Sequence, residues 1–179
     1  MNGWPPRRAS QSTVFIAADA SNDRWSWTEL RDGRVVRNPS GQFTDAADNA
    51  LGVFPDSSTP IYYKELFAVL LALRELDGSA IGMVVLIGDN TGVIGSIRKR
   101  LAPEGAWGMI DEIEEIVRRN GWGLDLRWVE SDGNVAHSAT HCEPVTKYRT
   151  FRTWQLCGAE GYFEPVGGRG KRDIDGVLI

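Results

Sequence analysis

Cysteine and histidine are scarce in this chain, with two of each in 179 residues. Cys142 and Cys157 are too few for a disulfide framework, so a reducing, intracellular and cytoplasmic setting is expected. No apolar run approaches the roughly 20 residues that span a bilayer, so no membrane association is expected. The first residues, from Met1 to Arg8, lack the apolar stretch of a signal peptide. A basic excess is missing as well: 20 lysines and arginines stand against 24 acids, for a net charge of −4. Attraction to polyanions through overall charge is therefore not evident, and any such binding rests on local basic clusters. What remains is ordinary for a globular domain: 42% hydrophobic and 25% charged residues, in a length that suits one domain with its own core.

Residues 1–12 are polar, with two prolines and two arginines, and read as a leader. Thr13 to Ser21 is a short apolar run rich in β-branched and aromatic residues, the pattern of a buried strand. It carries one carboxylate, Asp19, where the apolar character stops. Arg24 to Leu30 and Val35 to Arg37 flank an Asp32-Gly33 turn and predict a hairpin, giving three antiparallel strands. Residues 38–60 are rich in proline, glycine and serine and predict a long loop. A helix is expected from Ile61, with Leu66, Val69, Leu70 and Leu73 on one face and Gly78 as its end. Ile81 to Ile87 is a second buried strand, running into Gly88-Asp89-Asn90-Thr91. Asn90 or Thr91 can cap a helix through Arg100. A further helix at 106–120 closes at Gly121, Leu124 to Glu130 alternates as a strand, and a short helix starts at Asn134 or Val135. Beyond Cys142 the pattern thins. The expected division is a leader at 1–12, a domain at 13–141 and an extension at 142–179, partly packed on the domain with a basic flexible end at Gly167 to Arg172.

The element order β-β-β-α-β-α-α-β-α is a mixed α/β layout in which both inner strands end in an acid, Asp19 and Asp89. Glu65 sits in the first turn of the long helix, beside its apolar face. Each acid has a plain structural alternative. Asp19 can cap a turn with Ser21 and Asn22, Glu65 can complement the helix dipole, and Asp89 can cap the following helix. The set points elsewhere, because carboxylates converging at one sheet edge repel unless cations balance them. Two hard divalent ions, Mg²⁺ or Mn²⁺, suit such oxygen ligands and can serve phosphodiester hydrolysis.

The motifs resemble those of the ribonuclease H-like superfamily, most closely the ribonuclease H domains of retroelement reverse transcriptases. The resemblance rests on Ala18-Asp19-Ala20-Ser21, Lys64-Glu65-Leu66 through Leu73, Gly88-Asp89-Asn90-Thr91-Gly92-Val93, and Trp128-Val129-Glu130 through His137. It covers roughly residues 13–141. It implies a mixed five-stranded sheet, three antiparallel strands then two parallel, flanked by helices. It further implies a metal-dependent endonuclease that cuts the RNA strand of RNA/DNA hybrids by a two-metal mechanism, leaving a 3′-hydroxyl and a 5′-phosphate. Asp19 then bridges both ions, Glu65 and Asp89 complete the site, and the family's fourth acid falls on His137. Imidazole suits Zn²⁺ or Mn²⁺ better than Mg²⁺, although nucleases of the Piwi type use a histidine at this position. Ser21, Asn90, Thr91 and Asn134, which lie in these motifs, are implied nucleic-acid contacts, and a polymerase or reverse transcriptase is an implied partner.

Two features fall outside the acids. His137 and His141 are spaced i, i+4, which permits a structural zinc with Cys142 or Cys157. Arg98-Lys99-Arg100 either binds phosphates or complements a helix C-terminus. Lys147, Arg149 and Arg152 alternate with Tyr148, Phe151 and Trp154, which reads equally as a strand-binding surface or as core. Two other functions remain open: a silent domain of the same fold that binds nucleic acid or a protein, and a DNA-directed or junction-resolving nuclease.

Overall fold

A near-continuous apolar run makes Ser12–Ala20 (β1) the central strand, buried on both faces. The structure, a computed structural model, describes residues 12–43, 59–76 and 78–141. β1 pairs antiparallel with Arg24–Arg31 (β2), which pairs with Arg34–Arg37 (β3). Asp32 and Gly33 make the turn between them, with φ of 49° and 72°. Positive φ at both central residues is what a tight two-residue hairpin requires, and Asp-Gly supplies it.

On its other side β1 runs parallel to Ile81–Gly88 (β5), and β5 runs parallel to Gly123–Trp128 (β6). The sheet order is β3-β2-β1-β5-β6, three antiparallel strands followed by two parallel ones. A sixth, short strand, Ser40–Gln42 (β4), pairs with β2 inside the segment that composition assigns to a loop. Gly41 lies directly on Trp25; a Cβ there would sit 2.7 Å from the indole. A three-residue strand held by such an approach leaves no periodic signal. Residues 44–58 of the expected loop lie outside the described residues.

One face of the sheet carries the larger core. Val14, Ile16, Trp27, Val84 and Leu86 meet Leu66, Phe67, Leu70 and Leu73 of the helix Ile61–Glu75 (α1). The helices Thr91–Lys99 (α2) and Trp107–Asn120 (α3) add Val93, Ile97, Ile110 and Ile113. Gly121 ends α3 in the left-handed conformation expected of it. Gly78 does not end α1. That helix stops at Glu75, because Leu76 turns extended and tucks into the core. Gly78 instead opens a 3-10 turn where a side chain would collide with Asn120 and Trp122. On the opposite face Phe15, Ala17, Leu30, Val85 and Ile87 are covered by Val129, Val135 and Ala136, just before the short helix His137–Thr140 (α4). None of the described helices is long and apolar enough to cross a membrane.

Phe67 is fully buried between α1 and the sheet. Phe67→Ala is expected to lower the unfolding free energy by about 3–5 kcal/mol in urea titration. A loss below about 1 kcal/mol would show that this helix face is not the core contact described.

Candidate metal centre

Strand register brings the first two acids together. β1 and β5 are parallel and pair at Ala17 and Ile87, so two residues further along stand Asp19 and Asp89 at one sheet edge. The twofold alternation of an extended chain puts Asp19 on the face of Phe15 and Ala17, the face that α4 adjoins. There His137 Nδ1 lies 3.0 Å from Asp19 Oδ2, and Thr140 Oγ1 donates to the same oxygen at 3.1 Å. Ligand atoms of Asp19, Asp89 and His137 all fall within 4.8 Å of one another, a spacing that can hold a metal ion. Glu65 reaches the same edge from the other layer, on α1. It stands outside that trio, but near enough for both aspartates to act on its charge.

Asn134 frames the trio from behind. Its amide donates to Ala18 O at 3.0 Å and to Asp89 Oδ1 at 3.1 Å, while its own oxygen accepts from Ala136 N. It is fully buried, and every polar atom of its side chain is bonded inside the protein. Ser26, paired with Asp19 across β1 and β2, donates to Ala136 O at 2.6 Å and pins the segment that carries His137. Trp128 Nε1 holds the Asp89 carbonyl at 3.0 Å.

The structural alternatives for the acids are taken by their neighbours. Ser21 closes the turn after β1, accepting from Arg24 N through Oγ. Asn90 caps α2, accepting from the amides of Gly92 and Val93, and its side chain also bonds Glu65. Asp19 and Asp89 are thereby left facing each other.

The expected substrate-contact residues are dispersed. Thr91 and Lys99 are exposed at the two ends of α2. Arg98 donates to Leu126 O on the edge strand β6, and Arg100 pairs with Glu114 at 2.6 Å. The length of α2 sets this basic group roughly 13 Å from the acids. Lys147, Arg149 and Arg152 lie outside the described residues, as do Cys142 and Cys157. His141 is exposed and meets the edge of the His137 ring at 4.6 Å between centroids; among the described residues the metal-competent trio does not include it.

The electrostatics favour a cation. Among the described residues no lysine or arginine pairs with Asp19, Glu65 or Asp89. Burial, then the charge of Asp89, pushes the Asp19 carboxyl up to about 6, against the opposing pull of His137 and Thr140. Burial, then Asp89 and Asp19, pushes Glu65 up to about 8, with the Asn90 bond pulling the other way. Both shifts report crowded negative charge that a bound divalent ion would offset, the carboxylates offering oxygen donors and the imidazole a nitrogen donor.

Thr140, Ser26 and the framing role of Asn134 are invisible to motif reading. Thr140 alone left a signal: three residues after His137, it shares that residue's face once a helix is drawn there.

No known family model matches the sequence, and no curated protein does. Among solved structures the fold is similar to ribonuclease H1 from the halophilic archaeon Halobacterium salinarum, with TM-score 0.56 and 16% identity over 72% of this chain and 94% of that one. It is also similar to LC11 ribonuclease H1, isolated from compost by a metagenomic approach, with TM-score 0.50 and 10% identity over 74% and 93% of the two chains. The chain has the ribonuclease H-like fold.

The raised carboxyls set a pH dependence. Between about 4 and about 8 the folded state holds protons on Asp19 and Glu65 that the unfolded chain has already released. Stability of the metal-free protein from these groups therefore falls as pH rises through that window. Thermal midpoints measured in a chelator are expected to decline from pH 5 to pH 8, and less steeply in Asp19→Asn and Glu65→Gln. Equal slopes in all three chains would remove the electrostatic account.

Proposed function

We propose that the protein is a divalent-metal-dependent endonuclease that hydrolyses the RNA strand of RNA/DNA hybrids, leaving a 3′-hydroxyl and a 5′-phosphate. The observation that carries this reading is the meeting of Asp19, Asp89 and His137 donor atoms within 4.8 Å on a ribonuclease H-like fold. Two ions of the Mg²⁺ or Mn²⁺ class would supply activation of the attacking water and stabilisation of the leaving oxygen. Asp19, Asp89 and His137 would hold them, with Glu65 completing the set. Glu65, on α1 beside both aspartates, is placed to help position the attacking water. Asn134 keeps Asp89 Oδ1 in place by donating to it.

A second reading, a silent domain of the same fold that binds nucleic acid or a protein, draws on one contact. His137 Nδ1 bonds Asp19 directly instead of adding a fourth carboxylate. DNA-directed cleavage is a third form. The retroelement kinship and a polymerase partner rest on the order of the four motifs alone.

Purified protein is to be incubated with labelled RNA/DNA hybrid, duplex DNA and duplex RNA, in Mg²⁺ or Mn²⁺, beside Asp19→Asn. Cleavage of the hybrid is expected from the wild-type chain, stronger in Mn²⁺, and reduced to background in Asp19→Asn. No cleavage of any substrate above that variant would falsify the enzymatic reading and favour the silent one. His137→Asp is expected to shift the preference toward Mg²⁺. An unchanged preference would remove His137 from the ligand set.

A further inference from the structure

Asp19 Oδ2 accepts two hydrogen bonds, one from His137 Nδ1 at 3.0 Å and one from Thr140 Oγ1 at 3.1 Å. The two donors are not equivalent. The His137 side chain is 32% exposed, whereas Thr140 is 4% exposed, β-branched and packed at the end of α4. A buried β-branched side chain has little rotamer freedom, so its hydroxyl stays where it is. The imidazole has a competing use. A nitrogen that gives its lone pair to a cation carries no proton, so if His137 ligates through Nδ1, its bond to Asp19 lapses.

Thr140 has a second acceptor, His137 O at 2.8 Å, the residue three positions earlier. A hydroxyl has one proton and cannot donate to both at once. The bond to an ionised carboxylate is charge-assisted and roughly twice as strong as a neutral one, so the proton goes to Asp19 whenever that group is ionised.

We propose that Thr140 is a positioning residue of the metal centre, whose hydroxyl holds Asp19 in its orientation toward Asp89 independently of His137. This rests on the metal-centre reading above. A carboxylate ligand is in general oriented by hydrogen-bond donors behind it, and loss of such a donor weakens metal affinity by about 10–100-fold. Thr140 fills that place from a position that no recognised motif marks.

The test is Mn²⁺ binding to the full chain, by calorimetry or electron paramagnetic resonance with MnCl₂ as the only ligand. Wild type is compared with Thr140→Val, which keeps the shape and loses the hydroxyl, and Thr140→Ser, which keeps the hydroxyl. Thr140→Ala replaces the valine variant if circular dichroism shows that it has not folded. The expected result is a Kd about tenfold weaker in Thr140→Val, with Thr140→Ser near wild type. Equal Kd values in wild type and Thr140→Val overturn the proposal and leave the metal centre standing. Equal weakening in the valine and serine variants assigns the effect to packing and also overturns it. Absence of Mn²⁺ binding by the wild-type chain overturns the metal centre and this proposal together.

Discussion

Asp19 and Asp89 stand at the ends of two adjacent parallel strands, one of them 3% exposed, with no lysine or arginine paired to either among the described residues. Their ligand atoms lie within 4.8 Å of each other, and at an effective dielectric near 20 two charges that close repel by roughly 3 kcal/mol or more. A single neutral hydrogen bond contributes only about 1 kcal/mol, so no one donor offsets that repulsion. The surroundings answer with several donors instead. Asn134 takes Asp89, His137 and Thr140 take Asp19, and Asn90 takes Glu65. Even so, Asp19 and Glu65 hold protons well above the usual carboxylate range. The edge is a balanced deficit of positive charge, and a divalent cation is the simplest species to complete it.

The fold makes this arrangement possible by dividing labour between the two faces of the sheet. The larger core, under α1, α2 and α3, supplies the burial that holds β1 and β5 in register. The smaller one, under residues 129–136, leads the chain back across the first strand and delivers α4 to Asp19. Ser26 and Asn134 stitch that return segment to β2, β1 and Asp89, all through buried bonds. His137 therefore arrives at a prepared position. With an imidazole there, the site carries three carboxylates and a nitrogen donor. That lowers the negative charge to be balanced and gives Asp19 a hydrogen-bond donor that a fourth acid would not.

The basic residues tell a different story. Arg98 donates to Leu126 O on β6, and Arg100 pairs with Glu114. These are structural uses for side chains that sequence reading offers equally to phosphates. Thr91 and Lys99 keep the exposure that a substrate contact needs.

Five of the six described strands and the three long helices were legible in the sequence because each rests on local physics. Apolar runs mark β1 and β5, a heptad-like face marks α1, and Asp-Gly and Asn90 mark a hairpin and a helix start. Gly78 misled because a glycine after a helix is commonly its cap; here it serves a close approach to Asn120 and Trp122, contacts more than forty residues away. β4 was missed because it is three residues long, too short for a periodic signal, and is held by pairing with β2 and by the fit of Gly41 on Trp25. At the site, the sequence by itself determined which carboxylates are present and that their strands end together. Only the tertiary structure decided that Asn134 faces inward, that Ser26 pins the chain before His137, and that Thr140 shares Asp19 with the imidazole. Those choices depend on the path by which residues 129–141 cross back over β1, and such long-range packing has no local periodicity to announce it.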